Sequence, residues 1–297
     1  MKELVVISGK GGTGKTSLVA SFAALAEKKV MADCDVDAAD LHLILDPRVR
    51  QRENFKGGKI ARIKSGHCIA CGKCEEVCRF DAVFFDGPGN GLYPKTFRVD
   101  PISCEGCGVC AWFCAEHAIE FKEAVNGEWF ISDTRHGPMV HAKLGVAQEN
   151  TGKLVTLVRE EAKKLAEQEK LDFVLIDGSP GIGCPVIASI TGADLVLVVT
   201  EPTLSGKHDL ERVSDLTSHF GITTFVCINK ADLNPNMTAE MESLCAERGL
   251  TLLGKIRYDQ SFIKAQIAGK SVVEYSSDGV AAEVKNLWRC VLDELQR

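Results

Sequence analysis

Eight cysteines in two evenly spaced quartets are the residues of this sequence best suited to chemistry. The first quartet is Cys68, Cys71, Cys74 and Cys78, and the second, 36 residues later, is Cys104, Cys107, Cys110 and Cys114. Three thiolates at this close spacing can surround three irons of one cubane, so the fourth ligand must approach from another part of the chain. The two quartets therefore predict two [4Fe-4S] clusters.

The double quartet resembles the run of bacterial two-cluster ferredoxins, in which the fourth cysteine of each quartet binds the cluster of the other. One cluster is then held by Cys68, Cys71, Cys74 and Cys114. The other is held by Cys78, Cys104, Cys107 and Cys110. A proline usually follows the fourth cysteine, whereas Arg79 and Ala115 stand there in this chain. Zinc or disulfides are the alternative, but zinc takes four ligands in two pairs rather than eight in two matching quartets.

A glycine-rich loop near the N-terminus is a second candidate site. Residues 9–16 read Gly-Lys-Gly-Gly-Thr-Gly-Lys-Thr and fit the pattern G-x-x-x-x-G-K-[ST]. They lie between a strand predicted at 4–7 and a helix predicted at 16–27. The N–H groups of the loop would bind phosphate oxygens, Lys15 would reach the β- and γ-phosphates, and Thr16 would bind Mg²⁺. The predicted nucleotide ligands of this segment are Gly9, Lys10, Gly11, Gly12, Thr13, Gly14, Lys15, Thr16 and Ser17.

The early lysine of this loop, Lys10, resembles that of the MinD/ParA group of P-loop ATPases. The resemblance covers most of residues 1–45 and 140–297. In that group two subunits enclose two nucleotides, and this lysine reaches the phosphates held by the partner. The resemblance implies a catalytic role for Lys10 and an ATP-dependent dimer, either a homodimer or a heterodimer with a related ATPase.

Acidic residues at the ends of two predicted strands resemble further motifs of this group. The resemblance implies that Asp33 acts on the attacking water. It also implies that Asp35 and Asp177 bind Mg²⁺ together with Thr16. Residues 178–183, which are rich in glycine, resemble a switch that senses the γ-phosphate.

The end of another predicted strand carries Asn229-Lys230-Ala231-Asp232. This motif does not decide whether the nucleotide base is adenine or guanine. In many GTPases the aspartate of such a motif binds guanine, whereas in the MinD/ParA group the asparagine contacts adenine. The Lys10 motif favours ATP, with Asn229 as a ligand, and GTP stays an alternative.

Five cysteines lie outside the quartets, and four of them fit small buried residues. The fifth, Cys184, follows Asp177 by seven residues. At the same interval the related nitrogenase iron protein carries a cysteine that ligates a cluster shared by two subunits. No cysteine between 126 and 183 could supply the upstream ligand of such a site. A thiol packed in the switch is therefore the other interpretation of Cys184.

Apolar runs that alternate with amphipathic stretches predict a doubly wound, mainly parallel α/β sheet. Strands are expected at 29–33, 173–177, 195–200 and 225–229, and helices at 154–169 and 280–295. The cysteine-rich segment should interrupt this fold as a small α+β ferredoxin-like domain. The predicted divisions are 1–56 and 126–297 for the ATPase domain and 57–125 for the insertion, with a hairpin turn at 125–128.

Composition narrows the class of protein. The chain has 297 residues, 45% of them apolar, and a net charge of −6, as in an ordinary globular protein. No apolar run approaches the length of a membrane span and no signal peptide is recognisable, so a cytoplasmic protein without stable membrane insertion is expected. The acidic balance argues against nucleic acid as a partner.

Together the motifs predict an ATP-hydrolysing enzyme that couples dimerisation or docking to electron transfer through two clusters, towards an unknown redox partner protein. An iron–sulfur carrier related to the Mrp group is an alternative. It is weakened because the C-x-x-C pair of that group does not occur after Cys114. A positioning switch like MinD or ParA is a further alternative, with the clusters as structural or sensing elements.

Overall fold

The computed structural model describes residues 1–145 and 151–296, which form two compact units. The first unit comprises Met1–Glu53, Trp129–Lys143 and the chain from Thr151 onward. The second, which we call the cysteine unit, comprises Asn54–Glu128 and a short segment that begins at Leu144. The ferredoxin-like class of the insertion and the domain limits 1–56, 57–125 and 126–297 stay predictions.

Strands and helices alternate along most of the chain. The strands are β1 (Lys2–Ser8), β2 (Lys29–Asp33), β3 (Arg48–Phe55), β4 (Gly58–Ile63), β5 (Val83–Gly87), β6 (Thr96–Val99), β7 (Ile119–Ala124), β8 (Gly127–Thr134), β9 (Gly137–Leu144), β10 (Phe173–Pro180), β11 (Leu195–Thr200), β12 (Thr224–Asn229) and β13 (Thr251–Ile256). The helices are α1 (Lys15–Leu25), α2 (Leu41–Leu45), α3 (Lys73–Glu76), α4 (Val109–Trp112), α5 (Thr151–Gln168), α6 (Cys184–Ile190), α7 (Leu204–His219), α8 (Pro235–Glu247), α9 (Ser261–Ile267), α10 (Val272–Tyr275) and α11 (Val280–Gln296).

A nine-stranded sheet in the order β13-β12-β11-β1-β10-β2-β9-β8-β3 forms the first unit's core. Parallel pairing joins the seven strands from β13 to β9. The central strands are buried apolar runs, as a parallel sheet covered on both faces requires. The predicted α/β sheet, mainly parallel, is confirmed.

The hairpin turn predicted at 125–128 is wrong. Strand β7 pairs with β4 in a separate two-stranded sheet, whereas β8 joins the large sheet. Asn126 does not close a hairpin because it binds the segment before β4. Its N–H donates to the Phe55 carbonyl at 2.8 Å, and its side-chain oxygen accepts from the N–H of Gly57 at 3.1 Å.

The last helix, α11, packs on the first unit's core. The Trp288 ring lies 4.9 Å from that of Phe22 on α1 and 6.1 Å from that of Phe173 on β10. These large buried aromatic surfaces hold α11 against the sheet. No helix in the described part of the chain is long and apolar enough to cross a membrane.

The cysteine unit has a small core in which cysteines take the place of large apolar side chains. It contains two antiparallel strand pairs, β4–β7 and β5–β6, and the short helices α3 and α4. The buried core residues are Cys68, Cys74, Val83, Phe97 and Ala118, with Cys78, Cys110 and Cys114 packed against them.

Candidate nucleotide site and cysteine cavities

The glycine-rich loop lies at the carboxyl edge of the parallel sheet. It leaves β1, which pairs with β10 on one side and β11 on the other, and it enters α1 at Lys15. Gly14 has φ +93°, and a Cβ there would lie 2.4 Å from Nδ2 of Asn229. Only glycine satisfies both the left-handed backbone and this close approach.

A cavity of about 440 Å³ opens beside this loop, within the range of small-molecule sites. Its lining is Ser8, Gly11, Gly12, Thr13, Gly14, Lys15, Thr16, Ser17, Asp35, Ala38, Asp40, Pro180, Asn229, Lys230, Arg257, Tyr258, Asp259, Phe262, Ile263 and Gln266. Most of the predicted nucleotide ligands are brought together here. Gly9, Lys10, Asp33 and Asp177 are not part of this lining.

Sequence reasoning missed one wall of the cavity. It is formed by the segment that follows β13 and by α9, with Tyr258, Phe262 and Gln266 among its residues. Gln266 donates to the Ser17 hydroxyl at 3.0 Å, which ties α9 to the first turn of α1. The available signal was positional, because the carboxyl ends of parallel strands meet at one edge of the sheet.

Lys15 is held by carboxylates at the base of the loop. Its Nζ lies 2.5 Å from Oδ1 of Asp177 and 3.3 Å from Oδ2 of Asp35. Burial acts to lower the pKa of Lys15, but the charges of Asp177 and Asp35 outweigh it and raise that pKa. The lysine is therefore a buried cation placed to exchange a carboxylate for another anion.

Two buried carboxylate oxygens here have no hydrogen-bond partner among the described residues, namely Oδ2 of Asp33 and Oδ2 of Asp177. Buried acceptors without partners are costly, and a hydrated cation would satisfy them. Burial, and then the neighbouring charge of Asp177, raise the pKa of Asp33 well above its usual range. Asp177 therefore fits the Mg²⁺ role predicted for it.

The structure disfavours the water-activating role predicted for Asp33. This side chain is fully buried, and its Oδ1 accepts from the backbone N–H of Asp35 at 3.2 Å. Of Asp33 and Asp35, it is Asp35, two residues beyond the strand, that lines the cavity. Burial raises the pKa of Asp35, and the charge of Lys15 opposes that rise.

Asn229 and Lys230 brace the loop from the end of β12. Nδ2 of Asn229 donates to the Thr13 carbonyl at 2.7 Å, and its Oδ1 accepts from the N–H of Lys230 at 3.0 Å. Nζ of Lys230 donates to the Gly12 carbonyl at 2.9 Å. Both ends of the Asn229 amide are thus engaged, and its contact to a base stays a prediction.

Lys10 is tied to the segment between β11 and α7. Its Nζ lies 2.8 Å from Oε1 of Glu201 and donates to the hydroxyls of Ser205 at 2.8 Å and Thr203 at 3.2 Å. The other oxygen of Glu201 binds Nζ of Lys230 at 2.8 Å. Burial acts to raise the pKa of Glu201, but the two lysines lower it overall. Glu201 therefore links two lysines of the loop region, and no motif pointed to it.

Asp232 is engaged outside the cavity. Its Oδ1 accepts from the backbone N–H of Tyr258 at 2.6 Å. It lines a separate depression beside α8 together with Lys255 and Glu242. Asp232 is not part of the lining of the loop cavity.

The end of β10 and the residue that follows it are hydrogen-bonded to the ends of neighbouring strands, and the switch role predicted for residues 178–183 stays a prediction. The N–H of Gly181 donates to the Ser8 carbonyl at 2.8 Å, and the Ser179 hydroxyl donates to the Cys34 carbonyl at 2.6 Å. Both contacts are single hydrogen bonds to neighbouring strand ends, which a ligand could replace. Cys184 follows as the first residue of α6 and is exposed, so the packed-thiol interpretation is not favoured.

Two cavities of the cysteine unit sort the eight quartet cysteines into two sets. One cavity is lined by Cys68, Cys71, Cys74 and Cys114. The other is lined by Cys78, Cys104, Cys107 and Cys110. In each set three cysteines come from one quartet and the fourth comes from the other. Apolar neighbours surround both sets, and burial raises the pKa of the Cys74 thiol to about 11.

The two quartets also share their backbone conformation. Positive φ angles recur at three matched pairs of positions, which are Ala70 and Gly106, Gly72 and Gly108, and Asp81 and His117. The N–H of Ala82 points to the sulfur of Cys78 at 3.4 Å, and that of Ala118 to the sulfur of Cys114 at 3.3 Å. The internal repeat of the sequence is thus a structural repeat.

Among the described residues, no three His, Cys, Asp or Glu side chains lie close enough to share one metal ion. A cubane differs from a single ion because each thiolate binds a different iron of the cluster. Binding of a cubane by each of the two cysteine sets stays a prediction.

The parallel sheet, the loop between β1 and α1 and the acidic strand ends define a P-loop NTPase. The family described as "CobQ/CobB/MinD/ParA nucleotide binding domain" matches residues 4–272, and the chain belongs to it. It is therefore a P-loop ATPase of the MinD/ParA type, which confirms that part of the prediction.

Individual relatives agree with this family. An uncharacterised protein of Methanocaldococcus jannaschii is 34% identical over 238 residues, which cover 78% of this chain and 79% of the relative. The septum site-determining protein MinD of Bacillus subtilis is 21% identical over 300 residues, covering 98% and 89%. The solved structure of MinD from Pyrococcus horikoshii, complexed with Mg-ADP, has a TM-score of 0.54 at 18% identity, with 98% and 95% covered.

Proposed function

We propose that this protein is a Mg²⁺-dependent ATPase that couples its nucleotide state to electron transfer through two [4Fe-4S] clusters. The observation that carries the proposal is the sorting of eight cysteines into two crossed sets, in a chain that also has a P-loop cavity. A protein that only switched its location would use the cysteine sets for structure or sensing alone.

ATP is the nucleotide that the cavity supports. A guanine site needs a carboxylate that accepts two hydrogen bonds from the base edge, and Asp232, the candidate for this role, lines a separate depression rather than the loop cavity. The relative from Pyrococcus horikoshii was solved with Mg-ADP, which agrees with an adenine nucleotide.

The charges at the loop suggest how the nucleotide would act. A bound phosphate would replace Asp177 as the ion-pair partner of Lys15. The carboxylate of Asp177 would then bind the hydration shell of Mg²⁺ beside Thr16. Asp35, on the cavity wall, would orient the attacking water. Lys10 would leave Glu201 to reach the phosphates of a second subunit, so that ATP favours a dimer.

The cysteine sets fit the two clusters in ligand type and in number. Cys68, Cys71, Cys74 and Cys114 would hold one cluster, and Cys78, Cys104, Cys107 and Cys110 the other. When bound, the clusters supply one-electron redox chemistry. The apolar lining of both cavities would exclude water, and the N–H groups of Ala82 and Ala118 would donate to ligand sulfurs.

Iron analysis of protein purified without oxygen tests the cluster assignment. We expect about eight iron atoms per chain and the electron paramagnetic resonance of reduced [4Fe-4S] centres. Protein that folds and binds ATP but holds only zinc, or no metal, would contradict the assignment.

A MinD-like positioning switch is the second candidate, and similarity to MinD over nearly the whole chain favours it. In that case the clusters would be structural or sensing elements. If the clusters are structural, ATP should change the binding of a partner protein equally in oxidised and reduced protein, whereas sensing clusters should make that binding differ between the two.

A further inference from the structure

The matched helices α3 and α4 of the cysteine unit present different surfaces. Each follows a glycine with positive φ, Gly72 or Gly108, at the same position of the structural repeat. On α3 the outward positions hold charged residues, with Glu75 and Glu76 exposed. On α4 the position that matches Glu76 is Trp112, which is 86% exposed. The first half of the repeat folds with charged residues on the surface of α3. The fold therefore does not require apolar residues on the surface of α4.

The apolar surface of the second half has a definite position. We call it the α4 face, formed by Val109, Trp112 and Phe113, of which Val109 is 39% and Phe113 is 49% exposed. Trp112 lies in sequence between Cys110, which lines one cysteine cavity, and Cys114, which lines the other. A protein that contacts Trp112 is therefore near ligands of both sets.

The size of the α4 face indicates what covers it. Its three side chains expose roughly 350 Å² of apolar surface, well below the ~800 Å² per partner that a stable interface buries. Weak electron-transfer complexes and some transient signalling complexes have such small interfaces, and two clusters beside the α4 face favour the former. Residues 54–128 carry nine Lys and Arg against ten Asp and Glu, so charge does not select the partner.

We propose that the α4 face is the docking surface for a small electron-carrier protein, which binds transiently through an apolar contact on Trp112. The inference rests on the two clusters of the proposed function. In the encounter the carrier loses one electron and one cluster gains it, without a bond being made or broken. The α4 face contributes apolar contact area and proximity to both cavities.

Stopped-flow reduction tests the docking with two donors, a prereduced [2Fe-2S] ferredoxin and the small molecule methyl viologen. Trp112→Glu copies the matching residue of the first half. We expect at least about a tenfold slower reaction with ferredoxin and an unchanged reaction with viologen, as for loss of an interface anchor. Leu92→Glu, at an equally exposed apolar residue between β5 and β6, should change neither rate.

Val109→Lys, which introduces the residue found at the matching position Lys73, is a second variant. It keeps the test decisive if Trp112→Glu does not fold. A ferredoxin rate that both variants leave unchanged would overturn the proposal. Equal slowing of reduction by ferredoxin and by methyl viologen would also overturn it, because the substitution would then have changed the clusters rather than the docking. A dimer of this chain that dissociates in Trp112→Glu would assign the face to a second copy instead.

A binding readout separates this inference from the proposed function. In protein labelled with 5-fluorotryptophan, oxidised ferredoxin should shift the fluorine resonance of Trp112, which Trp112→Phe identifies. The resonances of the buried Trp129 and Trp288 should not move. Purified protein without iron would contradict the cluster assignment of the proposed function. Iron-loaded protein whose Trp112 resonance does not shift would contradict only the proposed docking surface.

Discussion

At the scale of residues, the nucleotide site is built around one buried lysine and the carboxylates that contact it. Lys15, Asp35 and Asp177 form one charge cluster, as their motifs predict. Asp33 and Asp35 lie two residues apart at the end of β2, where the chain leaves the strand. Which of them faces the cavity depends on the path of the chain beyond the strand, and alternation along β2 does not determine that path. Glu201 belongs to no motif and was missed for this reason.

Asparagine variants separate the two aspartates. Asp33→Asn should keep ATP hydrolysis within a few-fold, because burial already favours the neutral form of Asp33. Asp35→Asn should lower kcat by on the order of 100-fold while ATP still binds, since it removes the carboxylate that orients water. Steady-state phosphate release and nucleotide titration measure both effects. The reverse pattern would restore the water role to Asp33.

Nucleotide preference is tested at Asp232. Asp232→Asn keeps an acceptor for the N–H of Tyr258, so we expect ATP affinity to change less than about twofold. Asn229→Ala is the contrast, because loss of its bond to the Thr13 carbonyl should weaken binding by about tenfold. Titration with labelled ATP and GTP measures both variants. A wild-type preference for GTP that Asp232→Asn abolishes would show a guanine site.

At the scale of elements, apolar runs located the buried strands well because a parallel sheet buries both faces of each strand. The predictions at 29–33 and 195–200 coincide with β2 and β11. The hairpin at 125–128 failed because an Asn-Gly pair marks a turn but does not choose the strand that pairs next. Helix α9 and the wall of the cavity near it carried no periodic signal, since only seven residues form that helix.

The turn between β8 and β9 is joined to α10 by an acid-sensitive contact. Glu274 lies 2.7 Å from Nε of Arg135. Burial acts to raise the pKa of Glu274, but hydrogen bonds from Arg135 and Ser271 lower it to about 2. A depressed carboxylate pKa stabilises the fold above the ordinary value of about 4.5 and loses that effect as pH falls towards 2.

The melting temperature of Glu274→Gln should therefore depend less on pH than that of the wild type. Between about pH 6 and about pH 3 the melting temperature of the wild type should fall further than that of the variant. Glu247→Gln, at an exposed glutamate at the end of α8, is the control and should keep the wild-type slope. If the melting temperatures of wild type and Glu274→Gln fall equally with pH, the contact of Glu274 is not the source of the acid sensitivity.

At the scale of the whole molecule, one chain combines a P-loop ATPase unit with a unit built on two crossed cysteine sets. The crossing was expected because the double quartet resembles the run of bacterial two-cluster ferredoxins, in which the fourth cysteine of each quartet binds the cluster of the other. The partner was not predictable, because docking surfaces such as the α4 face have no fixed sequence motif.

The crossed pairing is tested by single alanine variants. Cys114→Ala should lose the same cluster as Cys74→Ala, and Cys78→Ala the same cluster as Cys110→Ala, with iron falling from about eight to about four per chain. Paramagnetic resonance of the remaining cluster identifies each case. Cys184→Ala should keep all of the iron. Identical spectra for Cys114→Ala and Cys110→Ala would refute the crossing.

The central claim is that nucleotide state controls electron transfer through the clusters. The most direct measurement is the rate at which the clusters are reduced by ferredoxin, with ATP and Mg²⁺, with ADP and with no nucleotide. We predict that ATP changes this rate by at least about tenfold in the wild type and has no effect in Lys15→Ala, which cannot hold the phosphates. Iron-loaded wild-type protein that hydrolyses ATP yet is reduced at one rate in all three states would contradict the claim.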